Sequence, residues 1–340
     1  MKTKTLNLAV VGATGLVGQE MLRVLTERNF PLNRVLPLAT ARSKGGHVSC
    51  HGTQLTVEET ELAAFKGIDI ALFAGGDKSS QLLAKDLAKQ GVLVIDNSST
   101  FRMEPEVPLV IPEVNPDALK KHKGIIANPN CSTIQMVLAM KPIYDQVGIE
   151  HLIVSTYQSV SGTGKDAVEA LKEETRQALS GAPVTPKIYP QQIAFNCLPQ
   201  AWSLDFETFY TEEELKMVRE TKKILSDNEL KVSVTAVRVP VYRGHGESVY
   251  LLTRKKLMRN EALNLWENFP GIKLMEDPEN RKYPTQLDAE GNDWVYVGHV
   301  REDLDHSHGL FFWVVSDNLR KGAATNAVQI AEKMIELNLL

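Results

Sequence analysis

The chain has 340 residues, of which 43% are hydrophobic and 24% charged, and its formal net charge is -4 at pH 7. That length exceeds what a single core usually sustains, so two domains are expected; the charge balance and the lack of a basic stripe exclude nucleic acid as an expected partner. The three cysteines, Cys50, Cys131 and Cys197, are too few and too scattered for a disulfide framework, which points to a reducing compartment, the cytoplasm, and no apolar run approaches the length of a bilayer span.

The opening "MKTKTLNLAVVGATG" imitates a secretory leader, but its apolar run is short and passes into a glycine-rich turn, so it is read as a first strand, Leu6 to Val11. The glycines that follow, Gly12, Gly15 and Gly18 in "GATGLVGQEMLRVL", suit a tight turn, a close approach of backbone to a pyrophosphate, and a helix N-terminus that receives the phosphates. Thr14 breaks the standard G-x-G-x-x-G spacing. Further strands near Val35–Ala39, Ile68–Phe73 and Val92–Asn97, and a helical segment around Ser80–Lys89, continue a strand–helix alternation that predicts an α/β dinucleotide-binding domain. After the second strand, "LPLATARSKGG" offers no acid for a ribose 2′-hydroxyl but presents Arg42 and Ser43, which suit a 2′-phosphate and favour NADP; an exposed loop that happens to be basic is the competing reading.

The stretch "IIANPNCSTIQM" places Cys131 after an Asn-Pro-Asn turn, at the first turn of a helix, where free backbone N–H groups favour thiolate. A small buried apolar residue is the competing reading. The strand in "EHLIVSTYQSVSG" ends in Gln158, Ser161 and Gly162, and strand ends of this kind carry sites. The segment "YTEEELKMVRETKKILSDN" is helical, with Leu215, Val218 and Leu225 as its apolar stripe and most of its charges expected in solvent. Two strands in "VSVTAVRVPVYRGHGESVYLLT" are joined by a connection that contains Arg238, Arg243 and His245: arginine matches a carboxylate or phosphate, and histidine moves protons or is simply a solvated loop residue. His306 and His308 form an H-x-H without a third ligand at a recognisable spacing, so no metal is expected.

The ordered pieces "VVGATGLVG", "ARSKG", "DNSSTFRM", "IANPNCSTIQ", "YQSVSGTG", "EEELKMVRETKKI", "RVPVYRGHGES" and "VVSDNLRKGAATNAVQIAE" resemble the aspartate-semialdehyde dehydrogenase family over nearly the full length. The resemblance implies a Rossmann-like NADP-binding domain at 1–130 and 318–340 and an α+β catalytic and dimerisation domain at 131–317, in a homodimer. It implies Cys131 as nucleophile, His245 as acid/base and Gln158 as the residue that orients substrate. Arg238 would hold the substrate α-carboxylate and Glu213 its α-ammonium, while Arg102, Asn130 and Lys216 would hold phosphate. Thr14, Leu16, Val17, Arg42, Ser43, Ser161, Gly162 and Asn318 would contact NADP beside the glycines. The implied reaction is NADPH-dependent reduction of L-aspartyl-4-phosphate to L-aspartate 4-semialdehyde, a step toward lysine, threonine and methionine. Two alternatives remain at this point: an N-acetyl-γ-glutamyl-phosphate reductase, whose acylated substrate would leave Glu213 without an ammonium to hold, and a non-catalytic NADP-binding paralogue.

Overall fold

A computed structural model describes residues 5–340. The chain forms two compact units: Met1–Asn130, as far as it is described, with Ala323–Leu340, and Cys131–Gly322 between them.

The first unit holds β1 (Leu6–Val11), α1 (Leu16–Glu27), β2 (Leu32–Ala39), a hairpin of β3 (His47–Cys50) and β4 (Thr53–Thr56), then β5 (Glu58–Glu59), β6 (Ile70–Phe73), α2 (Asp77–Lys89), β7 (Leu93–Asp96) and β8 (Ile125–Ala127). Six of these strands form a parallel sheet in the order β5-β2-β1-β6-β7-β8. The near-continuous apolar run of β1 is explained by burial on both faces. Leu6, Leu8 and Val10 face a core shared with Met21, Leu22 and Leu25 of α1 and with Ala327, Val328, Ile330 and Met334 of the C-terminal helix. Ala9 and Val11 face the opposite core, with Phe65 and with Ala84 and Leu87 of α2. Strand order reverses beside β1, and a crevice at the carboxyl ends of the strands at such a point is where open α/β sheets bind ligands.

The second unit begins with α3 (Cys131–Val147) and continues through β9 (Ile149–Gln158), α4 (Lys165–Leu179), α5 (Glu212–Leu225), β10 (Lys231–Arg238), β11 (His245–Thr253), α6 (Arg259–Glu267), β12 (Ile272–Leu274), α7 (Gln286–Ala289), β13 (Val295–Glu302) and β14 (Gly309–Ser316). Its mixed sheet runs β10-β9-β11-β14-β13-β12. On β9 the side chains alternate: Leu152, Val154, Thr156 and Gln158 are buried, while Ile153 and Tyr157 are exposed. One face therefore lies under helices, where the Trp266 indole on α6 donates to the Ala139 carbonyl of α3 at 2.6 Å; the other presents apolar side chains. A π-helical turn, Arg320–Ala324, leads into α8 (Thr325–Glu336) of the first unit.

Two expectations from the sequence change here. The buried face of α5 is not Leu215, Val218 and Leu225 but Glu213, Glu214, Met217, Glu220, Thr221 and Ile224, so Glu214 and Glu220, expected in solvent, are buried along with Glu213. Asn318, expected with the first unit, packs in the second, where its Oδ1 accepts from the Gly244 amide and the Ser159 and Ser161 hydroxyls.

Candidate active site

Strand register brings the chemistry of the second unit to one end of its sheet. Gln158 and Arg238 are paired last residues of the parallel strands β9 and β10, and His245 opens the antiparallel strand β11 opposite Ser316, the last residue of β14. Cys131 is the first residue of α3, a helix buried without interruption from Ser132 to Met140, so the thiol meets the positive end of the helix in a fixed place. Its Sγ lies 3.3 Å from His245 Nε2.

His245 is fully buried, and its other nitrogen is committed: Nδ1 accepts the Ser159 backbone N–H at 3.0 Å. The neutral ring therefore carries its proton on Nε2, pointing at sulfur. Burial, and next the charge of Arg238, hold the histidine pKa down to about 3, so the ring is neutral at physiological pH. A donated hydrogen bond from a neutral imidazole, added to the helix N-terminus, stabilises the thiolate without a paired imidazolium.

The other second-unit residues singled out from the sequence fall around this pair. The Gln158 amide donates to Ser132 Oγ at 2.7 Å and to Glu213 Oε1 at 2.9 Å, tying the start of α3 to the first turn of α5. Arg238 is 3% exposed, and its Nη1 donates to the Ser159 carbonyl at 2.6 Å. Gly162 packs where a side chain would stand: a Cβ there would lie 3.1 Å from Arg238 Nη1 and 3.4 Å from the His245 ring. Ser161 bonds Asn318. Lys216 lies partly exposed on α5 with Glu212 at 4.0 Å. Arg243 instead serves the framework, paired with buried Asp317 at 2.7 Å.

In the first unit, Gly12 has φ of 80° and a Cβ there would fall 2.7 Å from the Ala74 backbone, while one at Gly18 would fall 2.2 Å from the Gly12 carbonyl. Gly15 meets only an ordinary contact at 3.4 Å, so two of the three glycines are sterically required. No side chain caps the start of α1, where Leu16 and Val17 stand, and no acid occupies its first turn, which is what an anion site at a helix start requires. Thr14 Oγ1 is 3.5 Å from Ser43 Oγ, and Arg42 is exposed beside it on a short turn. Arg102 is buried, with Nε on the Asn128 carbonyl at 3.0 Å and Nη2 on the Asn97 carbonyl at 2.7 Å; Asn130 is buried too.

Sequence reasoning missed Ser159, which fixes the histidine tautomer with its N–H and the arginine with its C=O. It lies between Gln158 and Ser161, and only its neighbours carried a signal. It also missed Gly322, where a Cβ would stand 2.9 Å from that of Cys131, and Glu247, fully buried on the same face of β11 as His245.

A thiol beside a fixed imidazole in one unit, and an uncapped helix start after two sterically required glycines in the other, define a class that comparison with known proteins makes specific. Residues 7–122 match the family model "Semialdehyde dehydrogenase, NAD binding domain" and residues 140–321 match "Semialdehyde dehydrogenase, dimerisation domain". The chain is 51% identical to the aspartate-semialdehyde dehydrogenase of Aquifex aeolicus over 98% of its own length and 99% of the relative's, and 48% identical to that of Bacillus subtilis with the same coverage. The crystal structure of aspartate semialdehyde dehydrogenase II complexed with ASA from Vibrio cholerae superposes with a TM-score of 0.95 at 47% identity, covering 98% of this chain and 99% of that one. The chain belongs to the aspartate-semialdehyde dehydrogenase family.

Proposed function

We propose that this enzyme converts L-aspartyl-4-phosphate to L-aspartate 4-semialdehyde and inorganic phosphate with NADPH, and runs the reverse phosphorylating oxidation when assayed that way. The observation that carries the reading is the contact of 3.3 Å between Cys131 and His245 Nε2, at a helix N-terminus. The Cys131 thiolate attacks the acyl-phosphate carbon, the carbon–sulfur bond forms, and phosphate leaves with the electrons of its carbon–oxygen bond. Backbone N–H groups at the start of α3 face the developing oxyanion. Bound NADPH supplies hydride to the resulting thioester carbon. As the aldehyde forms, the thiolate departs and the His245 Nε2–H takes up its charge in a hydrogen bond.

Arg238 holds the α-carboxylate and Glu213, kept in place by Gln158, holds the α-ammonium. Glu213 favours an amino acid over an N-acylated substrate, because an amide offers no cation. Lys216 in the second unit, and Arg102 and Asn130 in the first, are proposed to hold phosphate. Gly12, Thr14, Gly15, Leu16, Val17, Gly18, Arg42 and Ser43 in the first unit, with Ser161, Gly162 and Asn318 in the second, are proposed cofactor contacts. The match to a dimerisation domain and the exposed apolar side chains on the outer face of the second sheet support a homodimer. Among the described residues no helix is long and apolar enough to cross a membrane, and the cytoplasm fits a thiol enzyme whose cysteines form no disulfide.

The test is reduction of NADP⁺ with L-aspartate semialdehyde, with and without inorganic phosphate, beside NAD⁺ and N-acetylglutamate semialdehyde. Phosphate-dependent reduction with the aspartate compound and NADP⁺ is expected. Activity with the acetylated aldehyde alone would overturn the substrate, and silence with every pair from NADP-binding protein would overturn catalysis.

A further inference from the structure

Arg238 is a buried cation for which no carboxylate among the described residues forms an ion pair. Unpaired charge is costly to bury, so something else must stabilise it before substrate arrives. The surroundings supply two rings. Its Cζ lies 4.5 Å from the centroid of Trp202 and 5.9 Å from that of Tyr189. Both come from the connection between α4 and α5, and that same connection grips the arginine backbone: Leu198 N donates to the Arg238 carbonyl at 2.8 Å and Arg238 N to the Leu198 carbonyl at 2.9 Å. Tyr189 is in turn anchored through its hydroxyl, 2.8 Å from Thr163 Oγ1. Trp202 is partly exposed and makes the closer contact.

The pattern of hydrogen bonds shows what is being held. Nη1 is taken by the Ser159 carbonyl, and Nε has no partner. In a guanidinium the Nε–H and the adjacent Nη2–H lie along one edge, and that edge matches the two oxygens of a carboxylate. An aromatic face fixes the plane of the cation without using any of its N–H groups, so the edge stays available.

We propose that Trp202 is a positioning residue for substrate recognition, holding the Arg238 guanidinium in the plane that presents its Nε–Nη2 edge to the substrate α-carboxylate. This rests on the assignment of Arg238 as the carboxylate clamp. Trp202 touches no reacting atom. It acts through the orientation of Arg238 and through the stabilisation of that charge before substrate binds.

The test compares wild type, Trp202→Ala and Trp202→Phe on two aldehydes, each with NADP⁺ and inorganic phosphate. One is L-aspartate semialdehyde. The other is 3-aminopropanal, which keeps the ammonium and the reacting carbon but lacks the carboxylate. Trp202→Ala is expected to raise KM for L-aspartate semialdehyde about tenfold, with kcat and the KM for phosphate nearly unchanged. Its kcat/KM for 3-aminopropanal should equal that of wild type, and Trp202→Phe should recover most of the loss. If Trp202→Ala does not fold, Trp202→Leu, which keeps apolar bulk without a π face, is expected to show the same selective loss. Equal losses on both aldehydes would reduce Trp202 to packing and overturn the proposal. Wild type that fails to prefer L-aspartate semialdehyde over 3-aminopropanal would overturn the clamp assignment itself. A preference present in wild type and fully kept in Trp202→Ala would leave the clamp standing and remove Trp202 from it.

Discussion

At Gly162 a single hydrogen atom stands where the Cβ of any other residue would press on Arg238 Nη1 at 3.1 Å and reach the ring of His245 at 3.4 Å. Gly162→Ala is therefore expected to lower kcat/KM at least about tenfold, because small displacements of reacting groups carry large rate penalties, while the melting temperature hardly moves. Equal activity of glycine and alanine enzymes would show that the two side chains have room to shift. Cys131→Ser should keep the melting temperature and NADP binding and lose turnover by about a thousandfold or more, since a hydroxyl is a far weaker nucleophile than a thiolate at this pH. Near-normal turnover would remove Cys131 from the reaction. These side chains differ in how far the sequence announces them. Cys131 is visible because its chemistry is set locally, by the turn before it and the helix after it. Trp202 is invisible because its role depends on a long-range pairing of Leu198 with Arg238 that no periodicity encodes.

The helix α5 shows how an element can be read correctly and faced wrongly. Its apolar residues Leu215, Val218 and Leu225 suggest a stripe, yet they are only partly buried, and the inner face is built around glutamates with partners. Glu214 closes a capping box with Thr211 and also accepts the Ala236 amide at 3.0 Å, and Glu213 accepts from Gln158 at 2.9 Å. Hydrogen bonding to partners distant in sequence overrode the hydropathy pattern, since a buried acid is tolerable once satisfied. Thr211→Ala should cost about 1 kcal/mol in denaturant unfolding, the usual worth of an N-cap. It should also raise KM for the aldehyde, since the capped turn carries Glu213; a stability loss with unchanged KM would show that Gln158 alone fixes that carboxylate. The strands of the first unit were more legible: Leu6–Val11 is found as expected, and β2 extends the expected strand back to Leu32. Burial on both faces leaves an apolar run that does not depend on long-range polar partners.

For the molecule as a whole, two buried groups set opposing responses to pH. His245 is held down to about 3, so between that value and its unfolded value near 6.5 the unfolded chain binds the extra proton, and stability falls as pH falls. Burial, reinforced by the charge of Glu213, pushes the Glu247 pKa well above 4.5. From 4.5 upward the folded protein therefore binds the extra proton, and stability falls as pH rises through the folded value. Above about 4.5 and below about 6.5, wherever the folded protein keeps the Glu247 proton, the two responses oppose one another. Glu247→Gln should uncover the histidine response, with a melting temperature that drops more steeply than that of wild type on acidification through this window. Identical profiles would show that Glu247 does not hold its proton in the fold. Two units were expected from length, and their limits at 130 and 318 from the family resemblance; Asn318 falls instead in the second unit, through contacts such as that with the Gly244 amide that hydropathy cannot register.

The first unit is assembled from the two ends of the described chain, and its core includes Ala327, Val328, Ile330, Ala331 and Met334 of α8. During synthesis, β1 and α1 emerge early but must wait for the whole of Cys131–Gly322 before that helix can cover them. The usual order of domain folding on the ribosome is thereby inverted. The contiguous second unit can close first, and the nascent first unit keeps an apolar face open until α8 leaves the exit tunnel, so this is the stage at which a chaperone has most to protect.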